Sequence, residues 1–543
     1  MDLTNCPTLH KASVLADWNR GQLDTNLLKV LCATGLGYVL PQQREAGSVC
    51  QSWVAEAQRA VLDKLGRISL AGLHTVVLLI KFHYASHTTE DTWILISIAA
   101  RLTLIKGLNY EQSPSATSPV QQECLRRLIW SIFYLDKIFS GGIDDLSVLP
   151  TSAVHVRLPC NDRRFQRGLS SSSPFLQDVL TNGPEDATSS DMDVLAYRMI
   201  LFDIRHRVLA YTRRVKRQDS SLAEWEPELL ALSRELERFG DTLPEELQAG
   251  EDRLMFMCHS KDGTAYITLY TMLYMCRCDL HRFVIPGIRE SASSEALANT
   301  PPEYINRCQK TCLDNAIKLC DFWSSVYRLD PPRLADFTIN VVSMYQCIKV
   351  IDRLAHLLPQ DGEHDLENIK QKLQEALSLA SQTRLLYPRI RTWFFEVERL
   401  IPLLGQRRRP SLTPAASDTG EANPPTSARV VLGSSDHPDS STNVFDSGAW
   451  TRHWIATGTG AASYGAASLA EMPDFPPNIV SYDNLLPNRE LLATDFHDPG
   501  AALNVPFGLD LPASPFDLHL GAYGDAEFHP LFYGGCQTQE PER

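Results

Sequence analysis

Gln122-Glu123-Cys124-Leu125-Arg126-Arg127-Leu128-Ile129-Trp130-Ser131-Ile132-Phe133-Tyr134-Leu135-Asp136-Lys137 reads as one helix, and that reading decides the fold. Its apolar residues do not alternate as a strand would require. Ser118 supplies an N-cap, Pro119 the first helical residue and Gln121 the far half of a capping box, so that the two side chains answer each other's backbone N–H groups. The helix runs to about Phe139 and stops at Gly141-Gly142. Glu123 lies within helical reach of Arg126 and Arg127, and Arg127 and Trp130 stand three apart on one face. Asp136 falls near the C-terminal end, where the helix dipole disfavours a carboxylate, so a cationic partner is expected for it. These residue types at this spacing predict a structural ion-pair and aromatic lock rather than a reactive centre.

Working outward, helical patterns continue from Leu27 to about Leu404. In residues 47–66, Val49, Trp53, Ala57, Val61 and Leu65 recur at the spacing of an amphipathic helix. Leu70–Ser86 is apolar nearly all round and predicts a buried helix. Asp91–Lys106 predicts another, stopped by Gly107 and Asn109. A looser segment, rich in serine and holding Gly183-Pro184, reads as a loop insertion near 160–190. Further helices are expected over Val194–Lys216, Leu222–Phe239, Ala265–Phe283, Glu303–Val326, Leu334–Leu358, Leu366–Leu379 and Arg389–Leu404. The expected fold class is all-α, a large irregular helical bundle over residues 1–405.

Composition changes at Arg407-Arg408-Arg409-Pro410, beyond which Pro, Ser, Gly and Ala dominate. Residues 406–543 are expected to form a mostly disordered tail. From Ser411 onward 17 acids face 4 bases, so the tail carries a net −13 and the rest of the chain only −1. A near-neutral body argues against a protein that grips nucleic acid by itself, because phosphate contacts need a basic surface. The tail keeps acids beside apolar residues at Asp474-Phe475, Asp495-Phe496 and Phe516-Asp517-Leu518. Such islands make Phe475, Phe496, Phe516 and Leu518 candidate activation residues, since acidic charge holds apolar side chains in water for a partner groove. The plainer reading is a solubilising tail. Arg407, Arg408 and Arg409, at the edge of the bundle, are the candidate nuclear import signal.

No glycine-rich phosphate loop and no Gly-x-Ser-x-Gly elbow occurs, and the chain is not expected to be an enzyme. His83 and His87 stand one helical turn apart but lack the glutamate of a zinc protease, so they read as two partly exposed helix histidines. Cys276 and Cys278 point to different faces of a helix and cannot share one ion with His281. Cys308 and Cys312 share a face and read as core packing. Arg205, Arg207, Arg213, Arg214, Lys216 and Arg217 read first as a solvated helix face, and second as an import or phosphate-contact stretch. The 13 scattered cysteines and the absence of a signal-peptide pattern predict a reducing compartment, and no apolar run approaches a membrane span.

The opening stretch resembles the hallmark of the fungal-specific transcription factor domain, the middle homology region of zinc-cluster (Zn2Cys6) regulators. Glu123, Arg126, Arg127, Trp130 and Asp136 match that pattern. Leu125 replaces its first arginine, Ile129 its first aromatic and Lys137 the arginine after the aspartate. The flanks agree in order: Leu9–Trp18, Leu27–Gly35, Asp91–Leu108, Val154–Pro159, Leu236–Pro244 and Tyr274–Pro286. The likeness covers roughly residues 8 to 404. Around Gly141-Gly-Ile-Asp144 the family's Gly-Arg-Pro is replaced.

A zinc cluster of that family needs six closely spaced cysteines, whereas Cys6, Cys32 and Cys50 are the three in the first 50 residues. No cofactor is therefore expected, zinc entering only with an N-terminal cluster outside this sequence. Either this is a natural regulator without that module, or the sequence is a truncated gene model. The resemblance implies a transcription regulator of the nucleus acting on metabolic or secondary-metabolite genes, with DNA contact indirect or lost. Its implied partners are transcription machinery or co-activators, a zinc-cluster partner or a second copy, and a small-molecule effector. The alternatives are a small-molecule-sensing or inhibitory co-regulator without activation role, and a helical enzyme.

Overall fold

The structure is a computed structural model that describes residues 7–39, 44–85, 89–113, 117–182, 191–217, 221–331, 338–359, 365–381 and 390–406. Among these residues it is all-helical, with two isolated β-bridges and no strand. The α-helices are α1 (Lys11–Asn19), α2 (Thr25–Val39), α3 (Arg44–Leu62), α4 (Leu70–Ala85), α5 (Thr89–Ile105) and α6 (Pro119–Ser140). Two short helices follow, α7 (Asp162–Gln166) and α8 (Leu176–Asn182), then α9 (Val194–Lys216), α10 (Glu226–Asp241), α11 (Glu251–Cys258) and α12 (Gly263–Asp279). The last are α13 (Ser294–Ala298), α14 (Pro302–Arg328), α15 (Thr338–Leu354), α16 (Leu366–Ala380) and α17 (Ile390–Leu400).

Helices α2 to α5 pack on one another, α6 lies against α4 and α5 on one side and α9 on the other, and α9 leans on α10 and α12. Around α12 gather α14 and α15, with α16 and α17 completing the far end. One hydrophobic core runs through all of it. The two central helices bear this out in their burial: 16 of the 22 residues of α6 and 17 of the 23 of α9 are buried. No helix among the described residues is long and apolar enough to cross a membrane.

Helix α6 starts as its sequence dictates, with Ser118 Oγ accepting from Gln121 N at 3.3 Å and Gln121 Oε1 accepting from Ser118 N at 3.1 Å. It ends at Gly141, whose left-handed φ of +53° closes the last turn onto the Lys137 carbonyl. Gly142 follows with φ +80°, and a Cβ there would stand 2.5 Å from Leu209 Cβ and 2.6 Å from Ala210 N of α9. That position needs glycine for its backbone angle and for the close approach of α6 to α9.

Several elements differ from expectation. The stripe of α3 holds at Ala57 and Val61, which are buried, and at Trp53, which packs on the core, while Cys50 and Val54 join it and Val49 is exposed. The segment expected as a loop carries α7 and α8, although residues 183–190 lie outside the described residues. Helices α1 and α11 carry no stripe that the sequence reading picked out. Helix α1 buries a single residue, Val14, and α11 leaves Met255 and Phe256 exposed. Helix α12 stops at Asp279, and its expected end becomes a 3-10 turn over Arg282–Val284.

Candidate functional site

The two arginines of α6 organise a lattice of buried charge. Glu123, one turn before them, faces both: its Oε1 accepts from Arg127 Nε at 3.0 Å and its Oε2 from Arg126 Nη1 at 3.3 Å. Arg126 also donates through Nε to Glu111 Oε1 at 2.9 Å, just before α6. Arg127 reaches further, to the Cys160 carbonyl at 2.8 Å and to Asp162 Oδ1 at 3.0 Å. Asp162 is held from its other oxygen by Lys261, which precedes α12. Backbone donors complete the carboxylates: Cys160 N gives to Glu123 Oε1 and Arg157 N to Glu111 Oε2, both at 2.9 Å.

Trp130 is fully buried and donates from Nε1 to the Arg157 carbonyl at 2.7 Å. Arg127 and Trp130 thus fasten the same stretch, 157–160, to one face of α6. The aromatic that stacks on Arg127 is Phe165 of α7, with the guanidinium 4.1 Å above its ring. The His10 ring closes the other contact of Phe165 edge-on at 5.2 Å. Sequence spacing placed Glu123, Arg126, Arg127 and Trp130 together. It did not single out Glu111, Asp162, Phe165 or Lys261; the signal available was that two arginines on a buried helix need more carboxylate than one glutamate.

Asp136 has the expected cationic partner in Lys137, but only as a loose pair. Its Oδ1 accepts from Val148 N at 2.9 Å, and its Oδ2 from Ser147 Oγ at 2.6 Å and Leu149 N at 3.3 Å. The nearest cation, Lys137 Nζ, stands 3.8 Å away and gives its hydrogen bond to Ser147 instead. Backbone N–H groups of the following turn take the place of a full counter-ion. Burial still outweighs them and holds this carboxyl above the usual carboxylate range.

Burial also raises Asp162, but Lys261 and Arg127 outweigh it and hold the carboxyl below its ordinary value. Asp193, whose Oδ2 accepts from Asp162 N at 2.9 Å, is pushed up to about 6 by burial despite the attraction of Arg127. Burial pushes the Cys160 thiol up to about 12 and the Cys124 thiol up to about 11. Thiols held this far above neutrality supply no thiolate nucleophile. The lattice is a clamp joining α6, the 157–162 segment and the approach to α12.

Other sequence candidates fall elsewhere. His83 is buried rather than partly exposed, because α4 packs between α3 and α5: its Nε2 lies 2.5 Å from Gln58 Oε1 and its Nδ1 3.9 Å from Asp91. His87 lies outside the described residues. Cys276, Cys278, Cys308 and Cys312 are buried, with the Cys278 and Cys312 thiols each 3.5 Å from the other's carbonyl oxygen. No group of three or more metal-ligating side chains comes together among the described residues.

The basic stretch of α9 is a solvated face only in part: Arg214 and Arg217 are exposed, whereas Arg205, Arg207, Arg213 and Lys216 are half-buried. Arg207 grips Glu235 of α10 at 2.6 Å and Asp203 at 3.1 Å, and Arg213 donates to the Gly141 carbonyl at 2.9 Å. Arg214 pairs with Glu228, and Lys216 donates to the Arg289 carbonyl. Arg407, Arg408, Arg409, Phe475, Phe496, Phe516 and Leu518 all lie outside the described residues.

Comparison with known proteins adds three findings. Residues 4–243 match the fungal specific transcription factor domain. Over 239 residues the chain is 22% identical to an uncharacterized transcriptional regulatory protein of Schizosaccharomyces pombe, covering 40% of this chain and 24% of that protein. Over 199 residues it is 23% identical to a Zn(2)-C6 fungal-type transcription factor of Fusarium oxysporum f. sp. lycopersici, covering 34% of this chain and 21% of that one. The matched region thus spans only 24% and 21% of the length of these curated relatives. No solved structure matches the chain.

Proposed function

We propose, from the premise that residues 4–243 of this chain are a fungal specific transcription factor domain, that the chain is the regulatory and activating portion of a nuclear transcription regulator. The domain match carries this reading, and the relatives named as transcription regulators support it. DNA contact is indirect, through a zinc-cluster partner, or is lost. The helical body contributes regulation. The tail, with its 17 acids against 4 bases from Ser411 onward, contributes recruitment of transcription machinery through Phe475, Phe496, Phe516 and Leu518. Arg407, Arg408 and Arg409 direct nuclear import, and the controlled genes are metabolic or secondary-metabolite genes.

Tethering tests the activation role. Residues 405–543 fused to a heterologous DNA-binding domain are expected to raise a reporter several-fold over that domain alone. Replacing Phe475, Phe496, Phe516 and Leu518 by alanine together is expected to remove most of the gain. A fusion with no output, at equal protein level and nuclear position, overturns the activation role and favours an inhibitory co-regulator.

A further inference from the structure

A cleft of about 770 Å3, counting the space at its mouth, opens where α6, α9, α12 and α15 meet. Its walls are mostly apolar, with Phe139, Phe202, Met272, Met275 and Val342 prominent among them. This lining, apolar with a few polar groups, is that of small-ligand sites, and the two flexible methionines can reshape around different bodies. Three charged residues also line it: Arg205, Asp279 and Arg282.

The two arginines are not equivalent. Arg282 has its charge answered, by Asp279 at 3.2 Å and Glu290 at 3.6 Å, and it donates to Gln346 at 3.1 Å. Arg205 forms no ion pair among the described residues, and its Nε is buried without a hydrogen-bond partner. A guanidinium cannot shed its proton to escape an apolar wall. A buried donor of this kind calls for a partner that the protein itself does not provide.

We propose that this cleft binds a small carboxylic acid with an apolar body, its carboxylate forked by Arg205 and its body lying against Phe139, Phe202 and the two methionines. Planar guanidinium and carboxylate match in two parallel hydrogen bonds. Asp279 in the same wall disfavours a dianion such as a phosphate monoester. A neutral ligand leaves the Arg205 charge unanswered. The occupant touches elements from both sides of the α6–α9 contact, so it stabilises the bundle as a whole. Binding is read on the purified chain and stands or falls independently of any role in transcription.

The test uses the full chain and a panel of benzoate, 2-naphthoate and octanoate, each beside its neutral amide, by calorimetry and thermal melting. At least one acid is expected to bind with a Kd of about 1 mM or tighter and to raise the melting temperature. Its amide is expected to bind at least about tenfold more weakly. Arg205→Met is expected to remove the preference of acid over amide, and Ser343→Trp, which fills the cleft, to remove binding of both. Arg205→Lys keeps the cation but not the fork; with native circular dichroism it is expected to weaken the acid, which separates lost binding from lost fold. The proposal is overturned if none of the three acids binds, if acid and amide bind alike, or if a folded Arg205 variant binds the acid as the parent does.

Discussion

Arg127 is 1% exposed at its side chain and donates to Glu123, Cys160 and Asp162 at once. Removing one member of a buried charge lattice leaves the others desolvated and unpaired, a loss of about 3–5 kcal/mol. Arg127→Met is expected to lower stability by that order in urea unfolding, and Arg127→Lys to recover little, since an ammonium cannot serve three acceptors in a plane. A second residue sets an acid limit. His74 is buried with Nδ1 3.2 Å from Thr8 Oγ1, and burial, with Lys81 adding to it, pushes its pKa down to about 4. The unfolded chain takes up this proton near 6.5 and the folded one only near 4. The stability it contributes is present above pH 6.5 and is lost as pH falls toward 4, by up to about 3 kcal/mol. Asp193 acts in the opposite sense, its contribution being lost as pH rises toward 6, so the histidine is isolated by comparing variants. His74→Gln is expected to lose less stability than the parent between pH 6.5 and 4 in pH-stepped unfolding. At this scale the sequence displayed the short-range partners of α6 through helical spacing. Glu111, Asp162 and Lys261 come from other segments, and periodicity carries no information about which distant acid meets which arginine.

Helix ends were the most legible elements, because a cap is written in a few adjacent residues. Ser118, Pro119 and Gln121 announced the start of α6, and Gly141-Gly142 its end. The reason Gly142 must be glycine was not legible, since it lies in the passage of α9 against it. Gly142→Ala would force a side chain into the backbone at Leu209–Ala210 and a positive φ on alanine. It is expected to cost about 2 kcal/mol or more, read as a lower urea midpoint with little change in helix content before unfolding. Elements with weak stripes escaped the sequence reading for a physical reason. Helix α1 exposes Leu15 and Trp18, and α11 exposes Phe256 at 70%, so apolar residues there do not mark an inner face. The stripe of α3 was legible except at its start, where Val49 extends the pattern without entering the core.

Across the whole molecule the decisive quantity is where the basic residues spend their charge. The chain outside the acidic tail is close to neutral, and four of the six cations in the basic stretch of α9, Arg207, Arg213, Arg214 and Lys216, are engaged by Glu235, Asp203, Glu228 and carbonyl oxygens of neighbouring elements. Overall neutrality could be counted in the sequence; the identity of each pair could not, because it depends on how α9 and α10 are laid together. A near-neutral body offers fewer counterions to release on meeting a phosphate backbone than a basic one does. The most direct test is fluorescence anisotropy of the purified chain against labelled duplex oligonucleotides of random sequence and of fungal promoter sequence, at about 0.15 M salt. The account predicts no saturable binding at chain concentrations up to about 10 μM. Sub-micromolar binding to either duplex would contradict it.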